Sequence, residues 1–349
     1  MPRLLRLLIL LACVGCTVSG VAQWIPIGPD GGDVRSLAAD PRNPDRIYLG
    51  TSAGQLFVSS DGGRSWARLA HLGAGDDYVL DHIIVDPSDA KVIYVAAWSV
   101  ENNGGDVFRS SDAGKTWQVL PGMHGKSVRA FAMAPRDPKV LVAGALDGVF
   151  RSMNGGRTWQ LISPPHHAEI KNIESVALDP RSPDVIYAGT WHLPWKTYDG
   201  GRSWTNIKRG VIDDSDVFSM IVDRTRPAHV YLSACSGIYV SDDAGSHFRA
   251  VQGIPSSARR TRVLRQDPVN ADVVYAGTTE GLWKTSDAGR SWTRVTPANL
   301  IINDVLIDPR NPQRVLLASD RGGVLASDDG AKTFAASNRG FSHRLVSAV

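Results

Sequence analysis

The chain has 349 residues, of which 43% are hydrophobic and 21% charged, and its formal net charge is +3. That composition supports a large buried core and excludes a disordered tail. A charge so close to neutral supplies no overall field for nucleic acid or an anionic membrane surface, so neither is expected as a partner.

At the N-terminus, Arg3 and Arg6 precede an apolar run that ends in the small residues Gly20-Val21-Ala22, which reads as a secretory signal over residues 1–22, cleaved after Ala22. The apolar run is too short to span a bilayer. Cys13 and Cys16 fall in or just after it, but the residues ahead of them do not form a lipobox, so no lipid anchor is expected. The expected address is the periplasm or the extracellular space. Removing residues 1–22 takes away two arginines and no acid, which lowers the formal charge from +3 to +1, and leaves Cys235 as the single cysteine. No internal disulfide can form, and stability must come from packing.

Residues 23–349 read as one domain of seven repeats, about 33–336, with strand-like fragments at 24–28 (WIPIG) and 343–349 (HRLVSAV). These fragments either pair to latch a ring or mark a chain that stops inside a longer array. Each repeat contains an octet such as SSDGGRSW (59–66), SSDAGKTW (110–117) or TSDAGRSW (285–292). With Asp61, Asp112, Asn154, Asp199, Asp243, Asp287 and Asp329 as markers, the intervals are 51, 42, 45, 44, 44 and 42 residues. A period in the low forties predicts an all-β propeller of seven blades, each a sheet of four antiparallel strands.

Repeat one then parses as strand a (VRSLA), a turn (DPRNPD), strand b (RIYLGT), a variable loop, strand c (LFVS), the octet, and strand d (SWARL). The octet is a c-to-d turn. Its Asp accepts hydrogen bonds from the turn's own N–H groups, its glycine supplies positive φ, and its Trp is a wedge between neighbouring sheets.

The pattern S-x-D-x-G-x-[ST]-W resembles the Asp-box (BNR) repeat of sialidases, xyloglucanase-like glycosidases, the sortilin ectodomain and the photosystem II assembly factor family, over nearly all of residues 24–335. The resemblance implies a structural octet on the periphery, away from the ligand face. The single-domain layout is similar to the photosystem II assembly factor family, which implies a protein client held through a basic patch. The glycosidase members imply instead a sugar substrate.

In a propeller the d-to-a and b-to-c loops share one face, and here those loops vary while the octets repeat. Aligned at the start of strand a stand Arg35, Asp81, Arg129, Glu174, Phe218, Arg262 and Asn303; two residues later the series is wholly apolar. The polar series should therefore ring the mouth of the central channel. Its arginines either present donor forks to an anionic ligand or pair with Asp33, Asp81 and Glu174 to hold blades together.

Trp98 and Trp191 are the two tryptophans that the repeat does not explain, and stand at matching positions after strand b. They either plug gaps or present a surface to a sugar or peptide side chain. His192 lies beside Trp191, and with His166, His167 and Glu169 it lacks metal-ligand spacing, so no metal and no cofactor are expected.

Two readings of function follow. The first is an exported, monomeric binding or assembly module that takes a protein or glycan on its variable-loop face through Arg35, Asp81, Arg129, Glu174, Arg262, Trp98, Trp191 and His192. The alternative is a glycoside hydrolase with Asp81 and Glu174 as its two carboxyls. Whether the chain is an enzyme stays open at this point; no Phe/Tyr-Arg-Ile-Pro motif of the sialidases is found.

Overall fold

The computed structural model describes residues 31–343 except 214, 259 and 260. The signal segment 1–22, Cys13, Cys16, the fragment 24–28 and nearly all of 343–349 lie outside these residues. Seven four-stranded antiparallel sheets are formed, each with its strands side by side in chain order. Blade one comprises Ser36–Asp40 (a), Asn43–Gly50 (b), Gln55–Ser59 (c) and Ala67–His71 (d). The other a strands are Tyr78–Val85, Val128–Ala134, Ile173–Asp179, Val217–Val222, Val263–Gln266 and Ile302–Ile307. Each a strand packs on that of the next blade, and the last packs on the first, so the a strands line the axis of a seven-bladed β-propeller.

The core lies between blades, and one aromatic of each octet is its wedge. Trp66 packs with Ile47 and Phe57 of its own blade and with Leu316 and Val324 of blade seven. Trp159 sits between blades two and three, Phe248 between four and five, and Trp292 between five and six. The expectation of bulk at this position, whether indole or phenyl, matches the packing.

The octets form the same turn seven times. In the first, Ser59 Oγ accepts from Gly63 N at 2.8 Å and donates to Asp61 Oδ1 at 2.7 Å, while Asp61 also accepts from Ser65 N at 2.9 Å and Ser65 Oγ at 2.5 Å. Asn154 does the same work with its amide, accepting from Thr158 N and donating to Thr158 Oγ1. Hydrogen bonds from Thr116 and from Ser291 hold the Asp112 and Asp287 carboxyls down at about 2.

Five of the seven turns are also docking points for the preceding blade. The carbonyl just after the box Asp or Asn accepts from Arg314 at Gly62, Arg46 at Ala113, Tyr94 at Gly155, Tyr187 and Lys196 at Ala244, and Lys284 at Gly330. Lys196 is fully buried over the Tyr187 ring, and burial pushes its ammonium down to about 8.

The turn needs two successive residues at positive φ. The second is glycine in six octets but alanine in the seventh, where Ala331 has φ 72° and is buried. A Cβ in the left-handed region is strained, so Ala331→Gly should stabilise the fold by about 0.5–1 kcal/mol after the added freedom of the unfolded chain is discounted. A thermal midpoint that stays put or falls would contradict this account.

The ring closes without a strand shared between the first and last blades. At the seam Trp66 N and Nε1 donate to the carbonyls of Arg339 and Ser337, both at 2.8 Å, Ser337 Oγ donates to Gly63 O at 2.6 Å, and Phe341 packs edge-on against Phe57. Gly31–Gly32 pairs in parallel with Ser342–His343. The two ends of the described residues therefore meet, and the fragments expected to pair lie outside them.

Candidate functional site

Register places the two ends of the blade apart. Ser36 pairs with Gly50 and Ile47 with Ser59, so the start of strand a and the b-to-c loop share one end while the octet occupies the other. The mouth series thus opens opposite the octets.

A local irregularity aims these side chains. Asp81, Arg129, Glu174, Phe218 and Asn303 each fall at a break in the a–b register, one extra residue between paired neighbours. Arg35 and Arg262 hold the same place just ahead of their strands, donating N–H to Gly50 O and Gly277 O. Such a bulge turns one side chain out of the alternation, here toward the channel, while Leu37, Ile83, Phe131, Met220, Leu264 and Val305 two residues on remain buried. The glycine opposite lets the next blade approach: a Cβ on Gly50 would lie 2.7 Å from Leu80 O.

The residue after the bulge does work that the sequence reading did not identify. Ser36 Oγ donates to Leu80 O at 2.6 Å, His82 Nε2 to Arg129 O at 2.9 Å, and Ser175 Oγ to Val217 O at 3.1 Å, while Ser219 Oγ accepts from Leu264 N. In blade seven Asp304 accepts from Leu37 N and from Arg265 Nη2. These bonds sew the innermost strands together at every step but that from blade three to blade four, where Arg129 and Glu174 pair instead. The signal was a small or polar residue recurring beside the mouth series, masked by its neighbours' charge.

Arg129 of blade three is the centre of the site. Its guanidinium lies 4.6 Å from the Trp98 ring of blade two and 5.6 Å from the Trp191 ring of blade four. Each indole is pinned by the acid of its own blade: Trp98 Nε1 donates to Asp81 Oδ2 at 2.9 Å, and Trp191 Nε1 to Glu174 Oε1 at 2.5 Å. Arg129 Nη1 donates to the same Glu174 oxygen at 3.0 Å. Burial drives the Glu174 carboxyl upward, opposed by Arg129 and Trp191, and Asp81 adds to the rise. Trp191 remains 46% exposed.

The other arginines differ. Arg35 lies 3.6 Å from Asp33 and 3.8 Å from Asp320. Arg262 is open to solvent; desolvation in the mouth and then Arg35 pull its guanidinium downward, against Asp320, Asp81 and Asp33. Of the interblade pairings considered from the sequence, Arg129–Glu174 forms; Arg35 meets Asp33 two residues away in its own blade, and Asp81 is taken by Trp98. His192 donates its N–H to Thr190 Oγ1 beside Trp191. His167 instead accepts from Glu169 N and Ile170 N and packs on Trp195, shaping its own loop. Among the described residues no group of three or more His, Cys, Asp or Glu could hold a metal ion.

No protein-family model matches the chain. A xyloglucanase of Paenibacillus sp is 30% identical over 136 residues, 35% of this chain and 13% of that protein. Xyloglucanase Xgh74A of Acetivibrio thermocellus is 28% identical over 143 residues, 36% of this chain and 17% of that protein. The matched segment is thus under a fifth of either relative. Among solved structures, the GH74 xyloglucanase from Xanthomonas campestris superposes with a TM-score of 0.73 at 22% identity, covering 91% of this chain and 56% of that one. YCF48 bound to a D1 peptide gives 0.61 at 15% identity, covering 86% and 92%. These likenesses show a shared propeller fold, and this chain spans about half of the GH74 structure.

Proposed function

We propose that this propeller is an exported binding module that takes a glycan or protein segment on its variable-loop face, with Trp191 and Trp98 as its stacking surface. One observation carries the reading: the two indoles flank Arg129 while their N–H groups are held by Glu174 and Asp81. A half-exposed indole whose orientation is already set loses little side-chain freedom when a sugar ring or aromatic residue covers it. Arg262, accessible in the same mouth, adds a donor fork for a carboxylate or hydroxyl.

The export of the chain rests on the N-terminal signal and on the extracellular setting of one solved neighbour, the extracellular domain of BT4673 from B. thetaiotaomicron. The xyloglucanase names of the sequence relatives favour a second reading, in which Glu174 and Asp81 act as the carboxyl pair of a glycoside hydrolase. Both acids are engaged by indole N–H groups and Glu174 also by Arg129, which suits positioning better than proton transfer.

Calorimetric titration of the purified protein with xyloglucan oligosaccharides and with acidic peptides separates the two readings. Trp191→Ala should weaken binding about five- to tenfold, the loss of one stacking contact of about 1–1.5 kcal/mol, with the far-ultraviolet dichroism unchanged. Arg262→Ala should weaken the acidic ligand alone. Affinities that neither change moves would eliminate the mouth as the binding surface. Release of reducing sugar that disappears in Glu174→Gln would establish the hydrolase.

A further inference from the structure

The opposite, octet-bearing end of the ring holds a feature that the mouth does not use. Between blades six and seven an open groove of about 540 Å³ is lined by Lys284, Arg294 and Lys332, with Ser286, Thr296, Gly330 and the apolar Val295, Pro297 and Ala331 in its wall. Lys284 donates to Gly330 O at 2.9 Å and stands over the Tyr275 ring, and Arg294 lies over the Trp283 ring. Among the described residues none of these three cations forms an ion pair, and no carboxylate lines the groove.

Comparison with other interfaces of the same ring shows which of them neutralise such cations: the position facing the c-strand cation is a carboxylate in blades one, four and six but Lys91, Lys139, Ala228 and Gln313 in the others. Arg151 of blade three occupies the c-strand position that Lys284 occupies in blade six, each directly before the Ser or Thr that opens the octet. Arg151 donates to Asp184 of the next blade at 2.7 Å. Asp184 is the residue whose carbonyl accepts the Gly200 N–H of the octet; in blade seven the residue accepting from Gly330 N is Gln313. Arg226–Asp272 and Arg310–Asp45 put a carboxylate at that position in blades six and one as well. Next to the groove the uncharged Gln313 lies beside Gly330, where those three interfaces carry a carboxylate. Burial lowers the Lys284 ammonium, and Lys332 lowers it further against Asp267.

We propose that this groove binds a tetrahedral oxyanion, sulfate or phosphate, free or as a monoester. Three cations without a carboxylate among them, with the Ser286 hydroxyl beside them, form a donor-rich site, and an anion with oxygens on every side can engage several of these donors at once. The proposal is independent of what binds at the mouth.

The test is calorimetric titration of the whole protein with sodium sulfate, sodium phosphate and glycerol 3-phosphate, each against sodium chloride of equal ionic strength. One saturable site for any of the three is the expected result, and which of them binds separates a free ion from an ester. Gln313→Asp, which places at an exposed position the carboxylate that blades one, four and six carry there, should weaken it about tenfold or more, and so should Arg294→Gln with Lys332→Gln. Arg157→Gln, an exposed cation at the octet position of Lys332 in blade three, should leave the affinity unchanged. A response no different from chloride, or one that all variants share equally, would overturn the proposal.

Discussion

Trp66→Ala is expected to destabilise the protein by about 3–5 kcal/mol, the usual loss for truncating a buried indole, and to do so by opening the ring at one place. Trp66 is 5% exposed and wedged between the first and last blades. Its N–H groups reach Ser337 and Arg339, which belong to the end of the described chain. Every other blade interface is also crossed by continuous chain, so a weakened contact there leaves the two sheets tethered. This seam is held by side-chain packing, hydrogen bonds, the Arg310–Asp45 ion pair and the two-residue pair Gly31–Gly32 with Ser342–His343. Chemical denaturation of Trp66→Ala beside Trp117→Ala provides the comparison: Trp117 is less buried, and its indole N–H stays within its own turn on Gly114 O. If the two variants lost equal stability, the seam would have no special standing. Hydrogen exchange should in addition show the strands of blades one and seven opening first in Trp66→Ala.

The second large effect concerns Arg129→Met. Arg129 and Glu174 are about a fifth exposed, at 21% and 18% of their side chains, so removing the guanidinium leaves a carboxylate in a poorly solvated place with one indole donor. A loss of about 2–3 kcal/mol at neutral pH is expected, below the range for a fully buried pair because water still reaches this one. The loss should depend on pH in a definite direction. A carboxyl whose folded pKa is raised contributes its full stability below the unfolded value and loses it as pH rises through the folded value. Glu174 is already raised by burial, and without Arg129 it rises further. The variant should therefore approach the parent below about pH 5 and fall away from it above that, as read from urea midpoints across the range. Adding Glu174→Gln should recover much of the loss, since the unpaired charge is then gone. A pH-independent deficit would mean that the cation's packing between Trp98 and Trp191, rather than its charge, is what counts.

Much of the architecture was legible because its determinants are short-range. The octet repeats the residues that one turn requires, its Asp or Asn, its hydroxyls and its residues at positive φ, and the turn forms in all seven blades by the same bonds. The wedge aromatic and the inner apolar residues follow from period and alternation. The mouth series could be aligned from sequence, but the bulge that aims it could not, since a one-residue break in pairing depends on how closely the neighbouring blade approaches Gly50 or Gly189.

By itself the amino-acid sequence determined the blade number, the strand order, the turn chemistry and the end of each blade at which charge accumulates, since all of these reside in contacts within one repeat. Only the tertiary structure decided who meets whom across blades. Trp98 and Trp191 are separated by two repeats yet share one guanidinium, Asp81 goes to an indole rather than to an arginine, and Lys284 meets a backbone carbonyl where Arg151 meets a carboxylate. Those outcomes turn on rotamers and loop paths set by the neighbouring sheets. The energy separating one polar partner from another is about 1 kcal/mol or less, too small for a local pattern to dictate and large enough for the packed ring to choose.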